Sequence, residues 1–399
     1  MHTETRRPVL LLGAGVREFH LHTFLQITAQ YPTVLVDRAL PDWARPYLAG
    51  FIAASPASLD EVVSRVGQFV MNRPMAGVLT YDAQRAELAA ELARQLGLPG
   101  NAPRAVAVCE DPVGARQLLQ AHGVANAPCD VTLEQESAAE AELALTTAGR
   151  RRVGSNEAAG EDHPVAFPSE PFKRYAGEGT EAGVTAVVLS PEDVRMVAVT
   201  RSDIWPEMAC APVGHLIESD DELLYDRTVG NLVRDAVAAV GLSLGIVHAQ
   251  VRLAPSGPRM LRIGAHLADG VVSLLVNRAL GIDLARVAVD LATGQTPEVS
   301  PTRKGAAAAR FLYPPASGVP ARVIPPGPSV LKKPWVDRFV SLPTTDGLVV
   351  GLPHSRAEDR LAYCVVTGGN AAICTTRLDA VFDQVSARIR PPADAPREA

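Results

Sequence analysis

Long apolar runs, paired cysteines and an excess of positive charge are all missing from this 399-residue chain. Each absence excludes a class of function. No stretch reaches the roughly 20 apolar residues that a membrane-spanning helix needs, so no membrane partner is expected. The apolar run after "MHTETRR" is too short for a signal-peptide core and passes straight into a strand–turn pattern. The five cysteines (Cys109, Cys129, Cys210, Cys364 and Cys374) are scattered, with no C-x-x-C spacing. That argues against a disulfide framework and a structural zinc, and for reduced thiols in a cytoplasm. The net charge of −6 gives no electrostatic case for nucleic acid or an anionic membrane. "GAGVRE" at 13–18 follows a strand-like run, as a phosphate-cradling turn would, but lacks the full G-x-G-x-x-G spacing of dinucleotide sites. Internal repeats are missing too.

What remains is 47% hydrophobic and 21% charged, enough for a normal core in each of several domains. "PVLLL" (8–12), "TVLVD" (33–37) and "AGVLTYD" (76–82) read as buried strands with helical segments between or after them. This alternation predicts a parallel sheet. Residues 1–105 are therefore expected to form an N-terminal α/β domain. A reduced central subdomain at 106–200 and a C-terminal lobe at 201–390 should follow, ahead of a disordered tail at 391–399. The fold class is α/β, turning to α+β in the C-terminal part. A helix should run from Glu110 to a C-cap at Gly123, and another over 218–242 stopped by Gly241. A hairpin is expected at 183–190 and 194–202, a helical pair over 271–294, strands near 306–312, 347–351 and 361–367, and a closing helix at 377–390. Residues 133–164 are polar and weakly patterned, which suggests a loop with some helix near 136–147.

"IVHAQVRLAPSGPRMLRIGAHLADG" (246–270) reads as two strands around a turn. On the first, His248, Gln250 and Arg252 share a face; on the second, Arg262, Gly264 and His266 do. Leu261, Ile263, Ala265 and Leu267 form the apolar face. The polar faces together would floor a cleft that carries no carboxylate.

The order of the pieces resembles the ATP-grasp superfamily, and within it the carboxylate–amine ligases that make dipeptides and related amides. The stretches that carry the resemblance are "GLPGNAP", "RQLLQAHGV", "VGHLIES", the strand pair above, "GIDLARVAVDLATGQ", "AAAARFLYPPASG" and "EDRLAYCVVTGGN". They run in the family's order from about residue 95 to 390. The resemblance implies acyl-phosphate chemistry with ATP and Mg2+: a carboxylate takes the γ-phosphoryl group and an amine displaces phosphate. Homodimers are common in the superfamily, so a homodimer is expected.

The chain departs from that pattern at the residues that matter most. Gln250 stands where the family has a metal-binding Glu. Arg262, Gly264 and His266 stand where it has Glu-x-Asn-x-Arg. Asp111-Pro112 replaces Asp-Lys at the start of the next helix. The strand ending in Lys-Pro and its Gly/Ser-rich loop have no counterpart except "PFKRYAGEG", where Lys173 is the one candidate for phosphate. A guanidinium offers no acceptor. Two unit charges about 4 Å apart repel by roughly 4 kcal/mol at an effective dielectric near 20, and a divalent ion doubles this. An ordinary magnesium site is therefore not expected, and a guanidinium suits a carboxylate or phosphate instead. The candidate ligand-binding residues are Gln250, Arg262, His248, His266, Arg310 and His215. Of these, Arg310 matches an arginine near the family's acceptor carboxylate, His215 matches a loop beside its cleft, and His266 takes the place of its carboxylate-holding arginine. Arg360 matches an arginine of its C-terminal lobe, or pairs locally with Glu358 or Asp359. Three readings follow. The first is a degenerate ligase fold binding a small anionic molecule or a pathway protein. The second is an active ATP-dependent ligase whose metal is held otherwise, for example by Asp269 or Asp203. The third is a cleft reused for chemistry without ATP.

Overall fold

The computed structural model describes residues 6–126, 162–164, 180–203, 212–267, 270–343, 349–351 and 355–390, apart from residues 56, 57, 72 and 316. The helix expected near 136–147, "PFKRYAGEG" with Lys173, Asp269 and the 391–399 tail lie outside them. The chain divides into two compact units. The first takes residues up to 129, 175–200 and 220–303, and the second takes the rest.

The first unit begins with the predicted parallel sheet. Strands β1 (Val9–Leu12), β2 (Thr33–Asp37), β3 (Gly50–Ala53) and β4 (Gly77–Leu79) are ordered β3-β2-β1-β4. Every residue of β1 is buried, as expected of a central parallel strand covered on both faces. Leu10, Leu12, Val34, Val36 and Ile52 pack with Val62 and Val66 of helix α2 (Leu59–Val70) and Leu88 and Leu92 of α3 (Ala86–Leu96). Strand β3 is short and half exposed, with no strong period, and sequence reading missed it. Helix α1 (Arg17–Gln30) packs against two later helices, α7 (Gly270–Leu280) and α8 (Leu284–Ala292), the expected helical pair.

Two short helices follow, α4 (Pro103–Glu110) and α5 (Pro112–Ala121). The break falls where Asp111 leaves helical geometry and caps α5, accepting the N–H groups of Val113 and Gly114. The antiparallel strands of this unit are β6 (Thr180–Ser190), β7 (Asp193–Asp203), β9 (Gly245–Ala254) and β10 (Gly257–Gly264), ordered β10-β9-β6-β7. Helix α6 (Arg227–Val240) lies against them and ends at Gly241 in a left-handed conformation, φ +78°, as the sequence required. It starts nine residues later than expected, because Asp226 is its cap and the acidic stretch before it forms a single 3-10 turn. One core joins Val184, Ala186, Val247, Ala249, Val251, Met260 and Ile263 to Val106 of α4 and Val233 and Val237 of α6.

In the second unit, β8 (Gly214–Glu218), β11 (Ala306–Leu312), β14 (Ala362–Gly368) and β13 (Val336–Ser341) neighbour one another in that order. A small sheet is ordered β12-β15-β5 from Val319–Ile324, Ser386–Arg390 and Asp162–Pro164. The closing helix is displaced from its expected 377–390. It is α9, Ala371–Phe382, because Asn370 caps it by accepting the Ile373 N–H, and the last residues pair as β15 instead. Around 347–351 no strand forms among the described residues; Val349 makes an isolated bridge to Gly318.

Candidate functional site

The register of β6, β9 and β10 decides what the polar floor contains. Thr185, His248 and Gly264 are directly opposite one another across the three strands. The next row is Gly183, Gln250 and Arg262, and the row beyond is Glu181, Arg252 and Arg259. Side chains directly opposite share a face of a sheet, so Gln250, Arg262 and His248 are brought together as the sequence proposed. The alternating residues Ala182, Val184, Ala249, Val251 and Ile263 face the core.

Three features of this floor were not anticipated. First, β10 runs over 257–264, so His266 lies just past the strand and not on its face. Its Nδ1–H donates to the Leu267 carbonyl at 3.0 Å, and Nε2 lies over Gly264, where a Cβ would come within 2.7 Å of it. Second, the pairing shifts between Met260 and Arg262. Leu261 is the extra residue of a β-bulge, which turns Met260 into the core, fully buried, while keeping Arg262 on the floor. Simple alternation had given that core position to Leu261. Third, a carboxylate is present on this face after all, supplied by the neighbouring strand. Glu181 accepts a 2.6 Å ion pair from Arg252. The period of β6 carries the signal, since Glu181, Gly183 and Thr185 alternate with apolar residues; which strand lies beside β9 does not follow from the sequence.

The floor is closely fitted. A Cβ on Gly183 would meet the His248 ring at 2.9 Å. The hydroxyls of Thr185 and Thr200, buried at 0% and 2% exposure, make no hydrogen bond among the described residues. Glu110, at the end of α4, is a carboxyl on which Arg262 acts. Burial raises its pKa, His266 and then Arg262 oppose that rise, and Asp82 and Glu87 add to it. Arg262 also acts on the Cys109 thiol, which burial nevertheless pushes up to about 12. Glu181 and Arg252 neutralise each other. Arg259, which donates a long 3.5 Å bond to the Asn126 carbonyl, and Arg262 leave the floor cationic, with Glu110 as their partial counterweight.

The residues present do not fit a magnesium ion. At these two positions Gln250 offers one neutral oxygen and Arg262 none. Asp203 ends β7. The start of α5 is equally closed to phosphate: Pro112 has no N–H, and Asp111 occupies the next two. The "GAG" turn is filled in the same way. Asp37 accepts the Ala14 N–H at 3.0 Å, and Arg85 pairs with both Asp37 and Asp82, at 3.6 and 2.9 Å. The chain's own carboxylate sits where an anion would.

His215 and Arg310 lie in the second unit. His215 Nδ1 contacts Ser202 Oγ at 3.1 Å, and its ring meets Phe311 edge-on. Arg310 shares the side of β11 that bears Ala306, Ala308 and Leu312, faces α9 and donates to Asp379 at 2.7 Å. Arg360 is 6% exposed. Its Nε donates to Tyr313 Oη at 2.8 Å, and its guanidinium lies 3.7 Å above the Phe311 ring. Asp359 accepts the N–H groups of Val350 and Arg356.

Comparison with solved structures places this geometry in context. The chain is similar to phosphoribosylglycinamide synthetase from Anaerococcus prevotii over 96% of its own length and 100% of that chain, at TM-score 0.70 and 16% identity. It is similar to an L-amino acid ligase from Bacillus licheniformis over 97% and 100%, at TM-score 0.72 and 14% identity. N5-carboxyaminoimidazole ribonucleotide synthetase from Thermotoga maritima matches over 96% and 100%, at TM-score 0.60 and 12% identity. No family model and no curated protein matches the sequence. Identity this low speaks to architecture alone, and the architecture is the one the motif order implied: this chain has the ATP-grasp fold of the carboxylate–amine ligases.

Proposed function

We propose that this chain is a degenerate ATP-grasp protein that binds a small anionic molecule on the β6–β9–β10 floor without a magnesium–nucleotide complex. The observation that carries this reading is Arg262. It stands opposite Gln250 in the ladder and acts on Glu110, a half-buried carboxyl that burial pushes up. A guanidinium there attracts the carboxylate or phosphate that the family's metal would otherwise hold. Arg259 adds a second positive charge to the same face, and Thr185 and Thr200 add hydroxyls not engaged within the described residues. His248 and His266 flank the anion as hydrogen-bonding groups. A pathway protein presenting an acidic side chain would meet the same chemistry.

Titration calorimetry tests this. ATP should show no magnesium-dependent binding, and inorganic phosphate or acetate should bind in a way that Arg262→Gln weakens by about tenfold or more, the worth of a charge-assisted hydrogen bond. Micromolar ATP affinity that requires magnesium would overturn it.

A second reading draws on the full-length likeness to an L-amino acid ligase. In it the chain is an active ATP-dependent ligase, with its metal held by groups other than Gln250 and Arg262. ADP release over a panel of amino acids, above the level of an Arg262→Ala control, would favour it.

A further inference from the structure

Helices α3 and α8 both contribute to the wall of a cavity in the first unit, and they do so with alanine. The cavity has a volume of about 120 Å³. Ala89, Ala90 and Ala93 of α3 and Ala288 and Ala292 of α8 line it. Packing beside it is tight. A Cβ on Gly77 of β4 would lie 2.5 Å from the Ala292 carbonyl, and one on Gly100 would lie 3.1 Å from the Ala93 methyl. The void is therefore not general slackness. The same two helices press against their neighbours and leave space only where methyl groups stand in place of longer side chains. Protein interiors ordinarily leave few voids larger than a water molecule. An apolar cavity of about 150 Å³ stays dry and accepts benzene, so a ring of about five or six carbons is the largest group that suits this one.

The wall also selects against charge. Among the described residues no Asp, Glu, Lys or Arg lines it. The Asn101 side chain is used up on backbone groups of Ser243 and Leu244, and the Thr80 hydroxyl donates to the Leu12 carbonyl. The Nδ1 of His266 is bonded to the Leu267 carbonyl. An ionised guest would find no carboxylate, ammonium or guanidinium to pair with, and burying it unpaired is costly. The rest of the wall includes Leu244, Gly245 and Ile246, where β9 opens, and Ala265, His266 and Leu267, which follow β10.

We propose that this cavity is a binding site for a small uncharged apolar molecule, the size of a five- or six-carbon ring, which braces the start of β9 and the end of β10. It is separate from the anion-binding floor, whose Gln250, Arg262 and His248 are not in its wall, and it does not rest on that reading.

Benzene is the probe, and amide hydrogen exchange in the full chain is the readout. At twice its dissociation constant, taken from the concentration dependence, benzene should slow exchange over 244–246 and 265–267 about threefold and leave β14 of the second unit unchanged. N-methylpyridinium, a ring of similar size with a fixed charge, should give no protection. Ala288→Leu, at a half-buried lining position, should abolish the benzene effect by filling the space. Ala89→Val repeats the test from the other helix should the first variant fold poorly. Four results would each overturn the assignment: no protection up to the solubility limit of benzene, equal protection of β14, an equal response to N-methylpyridinium, or protection that persists in both filling variants.

Discussion

Arg262 has its meaning only through its neighbours. It acts on the Glu110 carboxyl, as do His266, Asp82 and Glu87. Burial dominates and raises the Glu110 pKa, so the folded state holds that proton more tightly than the unfolded chain. Stability is then full below the ordinary glutamate range and is lost as pH rises through the raised value. Glu110→Gln should remove this slope. Thermal denaturation of both proteins from pH 4 to 8 should show the parent losing ground to the variant as pH rises, and parallel curves would contradict it. The converse substitution tests charge at the metal position. Gln250→Glu combined with Arg262→Glu should create Mg2+-dependent thermal stabilisation that the parent lacks. Gly183 is the third case. A Cβ there meets the His248 ring at 2.9 Å, so Gly183→Ala should cost about 1–3 kcal/mol by overpacking, measured by chemical denaturation.

At the scale of elements, much was legible and the failures have identifiable causes. Strands β1 and β2 are unbroken apolar runs, and the β6–β7 and β9–β10 hairpins announce themselves by alternation around turn residues. The bulge at Leu261 was invisible because both 260 and 261 are apolar, and only pairing tells which one enters the core. Arg310 was ambiguous for a related reason: all seven residues of β11 are buried, so alternation does not say which side faces α9. Glu181 joined the floor through strand order, which sequence period does not encode. The "GAG" turn shows an element stabilised by charge rather than prepared for a ligand. Arg85→Ala would strand Asp82 and Asp37 without their cation and should cost roughly 3 kcal/mol, since breaking a buried pair from one side leaves an uncompensated charge.

Taken as a whole, the chain carries the ATP-grasp architecture over nearly its full length. Apolar clusters that do not include the floor's charged residues hold both units. Among the described residues no helix is long and apolar enough to cross a membrane. Cys109, Cys364 and Cys374 are buried and unpaired, and each thiol is pushed up to about 12, so almost none is ionised near pH 8. Thiol-specific labelling followed by peptide mapping should leave these three unmodified in the native protein and modify all three in denaturant. Rapid native labelling of any one of them would contradict the packing.

The bulge in β10 also bears on how this site tolerates change. Leu261 is one residue more than the ladder uses, since Met260 faces Val251 and Arg262 faces Gln250 on either side of it. A chain that lost the single codon for Leu261 would rejoin those two rungs directly, with the guanidinium still aimed the same way. Loss of Ile263 instead would move the residue after it to the opposite face. Length variation at this strand is therefore best absorbed at the bulge, immediately beside Arg262.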